Sequence, residues 1–306
     1  MNLSPRVIFV FLSVILIFSR NIESRRLLSD DDDSERSYDL TTGLDAQIVQ
    51  VVTEGDKNDF DGEINIKFDN DFGNQVEDTT GLTDIDIQQV ATDSNKNNAN
   101  AKFDINLDST LRNVDDGTST ITGVIVQEFV DGSNNDADAD IDIDIDQHVK
   151  DGKGKSDADR LNIVVTTAIG QKVLGGSGRN DMDAEIDLDF ETRSKSRVND
   201  MDSIFVGNVV QTVNGGSRND MDIDLDVDFD HNLGRDSDFI KDELTVGLGQ
   251  TADGKSNDLE IDANVKYNSK INGKDDVSNK VAIGVSQQAQ GDKNKLRSKV
   301  NVKYKN

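Results

Sequence analysis

The stretch NDMDIDLDVDFD, from Asn219 to Asp230, places an acidic residue at every second position and an apolar residue between successive acids. Side chains of a β-strand point alternately to its two faces, so this period of two predicts a strand with one apolar and one acidic face. The same alternation of acids runs from Asp136 to Asp146 and from Asp181 to Glu191. The fold must bury the apolar faces and tolerate many like charges on the others.

The acidic strands belong to a unit that the chain repeats seven times. Each copy has a glutamine with an apolar residue two positions before it and two positions after it, and successive glutamines are 39, 38, 44, 40, 39 and 37 residues apart. An even spacing of this length is typical of stacked repeat architectures. The seven glutamines are Gln50, Gln89, Gln127, Gln171, Gln211, Gln250 and Gln287.

Each copy consists of a first strand around its glutamine, a turn rich in Gly, Asn and Asp, a second alternating strand and a polar loop of about ten residues. A single copy has only about four or five apolar side chains in each strand, too few for a core of its own, whereas stacked copies share one. We therefore predict an all-β fold of seven stacked copies, built as a β-solenoid or as an array of β-arches or hairpins.

The composition narrows the classes of function. The chain has 306 residues, only 34% of them hydrophobic, no cysteine and a net charge of -27. This charge repels nucleic acid and anionic lipid and favours cations or basic partners, so we expect no nucleic-acid partner. Without disulfides, β pairing must hold the molecule together.

The N-terminus has the layout of a signal peptide, in which Arg6 precedes an apolar run from Val7 to Phe18 and polar sequence follows. The run is short for a membrane helix, although an uncleaved anchor is the alternative. We predict a signal peptide over residues 1–24, with Arg25 and Arg26 as a further processing site. A disordered acidic segment over residues 25–40 and a β-repeat domain over residues 41–306 would follow. The mature protein is expected to be extracellular, without membrane association.

The repeated glutamine is two residues from an apolar residue on either side, so in a strand it lies on the same face as these neighbours and should point inward. Because an unpaired buried amide is costly, the side chains should bond to one another up the stack as a ladder that fixes register. A glutamine at a sheet edge beside water is the alternative. With the turns that follow, as in Gln211, Gly215 and Asn219, the pattern resembles the curli-type functional amyloids. That resemblance implies a secreted β-solenoid repeat protein that assembles into fibres, although the period here is near 40 rather than near 20 residues.

Stacked acidic strands would repel one another by roughly 1 kcal/mol at each contact in water. Calcium could bridge adjacent carboxylates, since hard cations take clusters of oxygen ligands. Alternatively, hairpin pairing could interleave the acids with Glu128, Lys172 or Thr212, or the face could be solvated, with shifted pKa values. The candidate calcium ligands are Asp140, Asp142, Asp144, Asp183, Asp187, Asp189, Asp222, Asp224, Asp226 and Asp228.

No residue pattern indicates an enzyme. There is no cysteine, and the two histidines, His148 and His231, lie beside acidic strand ends, where we expect solvated structural roles. No spacing unites a nucleophile with a base.

The last copy reverses the charge, since the segment from Gly291 to Asn306 has six basic residues and one acid. An exposed strand of this kind either recruits another chain or uses its lysines to block pairing. We favour recruitment, which predicts a head-to-tail homopolymer that forms an extracellular fibre or coat. A monomeric calcium-binding or mineral-associated secreted protein is the alternative. The basic residues are Lys293, Lys295, Arg297, Lys299, Lys303 and Lys305.

Overall fold

A computed structural model describes residues 16–26, 38–72, 76–112, 114–150, 157–176, 178–194, 197–233, 239–271 and 276–305. These residues form fifteen β-strands. They contain no helix that is long and apolar enough to cross a membrane. The all-β repeat fold predicted from the sequence is confirmed.

The strands, in chain order, are β1 (Leu16–Arg26), β2 (Tyr38–Asp56), β3 (Asp59–Phe72), β4 (Val76–Asn95), β5 (Asn98–Leu111), β6 (Asp116–Val130), β7 (Asn135–Val149), β8 (Asp157–Leu174), β9 (Arg179–Ser194), β10 (Arg197–Asn214), β11 (Arg218–Leu233), β12 (Phe239–Asp253), β13 (Ser256–Ile271), β14 (Asp276–Gln290) and β15 (Lys293–Lys305). Sheet A has the order β1-β2-β4-β6-β8-β10-β12-β14, and sheet B has the order β15-β13-β11-β9-β7-β5-β3. Each repeat thus contributes one strand to each sheet.

Equivalent strands of successive copies pair in parallel, so the molecule is a β-solenoid of seven rungs. In sheet A, for example, Gln211 aligns with Gln171 on one side and with Gln250 on the other. The two strands of one copy lie in different sheets, and the hairpin pairing considered above is wrong. A hairpin would place the two apolar faces side by side with one surface open to water, whereas the arch places them face to face and buries both.

The core fills the space between the two sheets in three clusters. The largest runs through the middle of the strands and includes the fully buried Phe103, Ile125 and Phe229. A second cluster lies near the turns and a third near the loops. The packing is close enough to require glycine at position 123, where a Cβ atom would lie 2.1 Å from the ring of Phe103.

The strands are longer and the loops between copies are shorter than the sequence pattern predicts. Strand β9 ends at Ser194 and β10 begins at Arg197, so the prediction of a loop of about ten residues between them is wrong. The additional strand residues belong to the third cluster, where Val198 and Met201 are buried. These apolar residues are more widely separated than in the acidic strands, which hides their period.

The turns between the sheets use left-handed backbone. In the fourth copy this falls on Gly175 (φ 79°) and Gly176 (φ 88°), as the Gly-rich sequence predicts. In the first two copies Lys57 (φ 64°) and Lys96 (φ 59°) also have left-handed backbone. Lysine has no preference for this conformation, so these two residues are strained.

The N-terminal end of sheet A is covered by β1, which pairs antiparallel with β2 from Leu16 opposite Gln47 to Arg26 opposite Tyr38. The predicted signal peptide and acidic segment fall partly outside the described residues, at 1–15 and 27–37. Their described parts lie in β1 and at the start of β2, three residues before the predicted start of the repeat domain at residue 41.

Candidate functional site

The seven glutamines form an unbroken ladder along sheet A. From Gln89 onward, each Nε2 donates a hydrogen bond to Oε1 of the glutamine in the preceding copy, at 2.8 or 2.9 Å. The interior members are at most 1% exposed, so the sheet-edge alternative is wrong for them. The ladder places equivalent side chains of all seven copies in contact.

The same amides also connect the two sheets. Gln211 Nε2, for example, lies 2.9 Å from the carbonyl oxygen of Met182 and 2.8 Å from that of Asp222, both in sheet B. Gln171, Gln250 and Gln287 each reach two carbonyls of sheet B in the same way. Each glutamine therefore satisfies buried backbone acceptors as well as its neighbour in the ladder.

A second ladder of asparagines, which the sequence analysis did not identify, lies where each turn enters sheet B. Its side-chain bonds are 2.7 to 3.1 Å long, and each Nδ2 donates to Oδ1 of the following copy, opposite to the direction of the glutamine ladder. An asparagine seven to nine residues after every glutamine was the signal that could have revealed it. The members are Asn58, Asn97, Asn135, Asn180, Asn219, Asn257 and Asn294.

The three acidic strands lie side by side on the outer face of sheet B, with their acids in register. Asp138 of β7 aligns with Asp183 of β9, which aligns with Asp222 of β11. Six such rows cross the three strands, and the inward apolar residues between them are buried. All ten candidate calcium ligands lie on this surface, which we call the acid face.

The acid face raises the pKa values of several of its carboxyl groups. Partial burial among its neighbours, together with the charges of Asp138 and Asp222, raises the pKa of Asp183 to about 7. The pKa values of Asp189 and Asp222 rise to about 6 for the same reasons, desolvation first and adjacent carboxylates second. Proton binding near neutral pH therefore relieves part of the repulsion.

Basic residues of neighbouring strands neutralise the two sides of the acid face. Lys102 lies 2.8 Å from Asp140, and Lys266 lies 3.5 Å from Asp226 and 3.6 Å from Asp228. The described residues contain no group of three or more His, Asp or Glu side chains that could hold a metal ion. Three of the ten candidate ligands are therefore paired with lysine, and the rest form open rows rather than an enclosed site.

The expectation of a solvated His231 is wrong. Its side chain is 1% exposed, and Nε2 lies 3.1 Å from Oδ1 of Asp242, which is equally buried. His231 follows Phe229 by two residues and so shares its inward parity, a signal that the sequence already contained. His148 lies on the partly exposed outer side, 3.4 Å from Asp146.

The six basic residues predicted as an assembly edge lie on β15, the last strand of sheet B. Lys295 and Arg297 contact Asp258 at 3.1 and 3.3 Å, and Lys299 lies 3.8 Å from Asp262. Four apolar side chains of this strand are between 39% and 53% exposed: Leu296, Val300, Val302 and Tyr304. The last rung therefore has both charge and apolar surface available to a further strand.

No protein-family model matches this sequence, no curated protein matches it, and no solved structure matches its fold. Function must therefore be inferred from the ladders, the acid face and the two ends of the stack.

Proposed function

We propose that this chain is a secreted structural protein that polymerises head to tail, by β-strand stacking, into an extracellular fibre or coat of the curli type. The observation that supports this proposal is the complementarity of the two ends of the stack. A second molecule that continued the solenoid would place its β3 beside β15 of the first, in the register that all interior strands keep.

The charges at such a junction are favourable. By position in the repeat, Lys295 would lie beside Asp59, Arg297 beside Asp61 and Lys299 beside Glu63. Two like-charged pairs offset part of this attraction: Lys303 beside Lys67 and, two residues before the Lys295–Asp59 pair, Lys293 beside Lys57. Opposite charges in register both attract the next molecule and disfavour misaligned contacts.

The apolar side chains also match. Val300, Val302 and Tyr304 would cover Ile64, Ile66 and Phe68 of the next molecule. In the single molecule, these three residues of β3 are only partly buried against the core. Burial of both sets would contribute hydrophobic free energy that neither end gains alone.

Both ladders would continue across the junction with the correct polarity. Gln50 would donate to Oε1 of Gln287, and Asn294 would donate to Oδ1 of Asn58, as every interior pair does. Two identical ends brought together would not reproduce these bonds. The ladders therefore favour a polar filament.

Strand β1 occupies the edge of β2 at which β14 of another molecule would pair. Most of β1 falls within the predicted signal peptide, residues 1–24, so its cleavage would uncover this edge. We therefore assign assembly to the mature chain.

The experiment compares two single substitutions in the first rung of the mature chain. Asp61→Lys would place a lysine beside Arg297 of the next molecule, whereas inside the molecule it faces Asn100. Asp45→Lys makes the same charge change in the same rung, but its counterpart by register is the neutral Ala282. Electron microscopy and light scattering should show that Asp61→Lys forms fibres more slowly than the unmodified chain, whereas Asp45→Lys does not. Fibre growth of the unmodified chain should also slow as salt is added, because salt screens the attraction between the two ends.

Equal growth of the two variants and the unmodified chain would overturn the head-to-tail contact. Faster fibre formation after deletion of residues 291–306 would show that the lysines of β15 guard the edge rather than recruit a partner.

The in-register carboxylate rows support a second proposal, that the acid face binds calcium between adjacent strands. Ca²⁺ should raise the melting temperature at neutral pH more than Mg²⁺, because Mg²⁺ requires a stricter octahedral geometry. Chelator should reverse the effect. Stabilisation by calcium without any fibre would favour the alternative of a monomeric calcium-binding or mineral-associated protein, and equal melting in calcium and chelator would remove the calcium proposal.

A further inference from the structure

The outer face of sheet A contrasts with the acid face because its centre has no charge. On β6, β8, β10, β12 and β14, three adjacent rows of outward side chains contain only apolar, small or neutral polar residues; we call this surface the neutral face. Its rows are Thr122, Thr166, Val206, Thr245 and Ala282; Val124, Ala168, Asn208, Gly247 and Gly284; and Val126, Gly170, Val210, Gly249 and Ser286.

The large exposed apolar residues fall into two groups among the described parts of the chain. Five lie in the last rung, at the end of the stack discussed above: Val277, Leu296, Val300, Val302 and Tyr304. The other six lie on the outer face of sheet A: Val49, Val51, Leu82, Val206, Val210 and Phe239. The second group would remain exposed in a head-to-tail filament, because the filament grows along the stack and leaves both outer faces free.

Two glycines on the neutral face, Gly170 and Gly249, have no internal explanation. A Cβ atom at Gly170 would have no neighbour within 4 Å, and at Gly249 the nearest atom would be 3.9 Å away. Neither residue is among the glycines with positive φ. By contrast, Gly207 points inward, where a Cβ atom would lie 2.9 Å from the ring of Phe205. Glycine weakens a strand and often marks a place where another backbone or ligand approaches closely.

We propose that the neutral face is an interface with a second copy of this chain, packed sheet to sheet. The two copies are related by a two-fold axis that lies parallel to the strands, between β8 and β10. By register, Val210 of one copy then faces Gly170 of the other, and Val126 faces Gly249. The row that contains these residues alternates valine and glycine from β6 to β12, so the valine side chains of each copy fit above the glycines of the other.

The charge distribution selects this partner. The opposite face of the molecule has six rows of acids and cannot dock against itself or bury against an uncharged surface without a large cost. Sheet pairing through the neutral face leaves both acid faces in water. Under the same axis, Lys172 faces Thr212 and Glu128 faces Thr251, so no like charges meet there.

The area is sufficient for a stable dimer. Under this axis β6, β8, β10 and β12 face one another, whereas β14 faces β4, whose Asp84 and Asp86 lie in the same rows at the margin of the contact. The four strands and three rows span about 19 Å by 20 Å at the usual strand and side-chain spacings, or close to 400 Å² per copy. The next row on each side extends the contact to about 19 Å by 34 Å, or about 650 Å² per copy, so the total of about 1,300 Å² falls within the range of specific protein interfaces. The interface is independent of the proposed end-to-end growth and would join filaments, or single molecules, side by side.

The test uses two matched glycine substitutions in the mature chain, with Asp61→Lys as a background that limits end-to-end growth. Gly170→Thr fills the gap opposite Val210. Gly43→Thr also fills an open outward position on sheet A, with no atom within 4 Å, but it lies on β2, which has no counterpart under the two-fold axis. Threonine favours strands, so neither substitution should unfold the monomer.

Sedimentation velocity should show that the Asp61→Lys background forms a dimer. Gly170→Thr in this background should raise the dissociation constant of the dimer at least about tenfold, because the added side chain overpacks the contact and separates the sheets. Gly43→Thr should dimerise like the background. A monomeric background, or equal dimerisation of the two glycine variants, would overturn the proposal. If the chain forms no filaments, the same measurement is made on the chain without Asp61→Lys, so failure of end-to-end growth and failure of sheet pairing are distinguished.

Discussion

Sheets A and B share one core and the same parallel pairing from copy to copy, yet the centres of their outer faces differ in charge. The acid face of sheet B has carboxylates in six rows across three strands, whereas the neutral face of sheet A has none. The inner faces of both sheets have the same alternating apolar pattern and equally complete burial. The fold therefore depends on the inward residues and the two amide ladders, and the outward residues are free to differ between the sheets.

The largest effect should come from the matched pair Gln89 and Gln88, adjacent residues of β4 that point inward and outward. Gln89→Leu removes bonds to Gln50 and Asn100 and the acceptor of Gln127, so it should lower the free energy of unfolding by about 3 kcal/mol. Gln88→Leu, which loses one bond to Asp86, should change it by less than about 0.5 kcal/mol. Denaturant unfolding measures both.

An equal loss in the free energy of unfolding for the two substitutions would contradict the proposed difference between the inner and outer faces. If Gln89→Leu unfolds too readily to measure, Gln89→Asn in the same position provides a smaller change that retains an amide.

A second prediction separates the two faces by pH. The acid face raises carboxyl pKa values in the folded state, so the folded protein binds more protons than the unfolded chain between pH 3.8 and about 7. Stability should therefore rise as pH falls through this window, the reverse of the usual acid denaturation. Thermal unfolding between pH 8 and pH 4 measures it.

Replacement of Asp183, Asp189 and Asp222 by Asn should stabilise the protein at pH 8 and flatten this slope, because the titrating groups with the most raised pKa values are removed. Added salt should reduce the slope without abolishing it, since desolvation is the first cause of each shift. A stability maximum at pH 8 in the unmodified chain would contradict the prediction.

The smallest effect concerns the turns that join the two sheets. Lys96 has φ 59°, and asparagine tolerates this left-handed conformation better than lysine. Lys96→Asn should therefore stabilise the protein by about 0.5 kcal/mol. Lys255→Asn, in a turn residue without positive φ, is the control and should give no gain. A loss of stability in Lys96→Asn would show that its side chain has another role.

Much of this architecture could be predicted because its signals recur. The glutamine spacing defined seven copies, and parity placed both the inward glutamines and the outward acids. The asparagine ladder was not predicted, because the preference of asparagine for turns accounts for its presence at those positions. The burial of His231 was not predicted, because histidine beside acids is typical of a solvated surface, although it lies on the same side of the strand as Phe229. Hairpin or solenoid pairing could not be resolved, since both use the same alternating strands. The long ends of the strands were hidden because Val198 and Met201 lack a regular period. The neutral face required the register between copies, which no single copy contains.

Both ladders connect each copy only to its two neighbours, and this has a genetic consequence. An in-frame duplication of one repeat would add one rung of about 4.8 Å to the stack without changing either terminal surface. Loss of a repeat would shorten the stack by the same step. Unequal recombination between similar repeats, such as those that contain β9 and β11, can therefore alter the length of the gene while the product keeps both terminal surfaces.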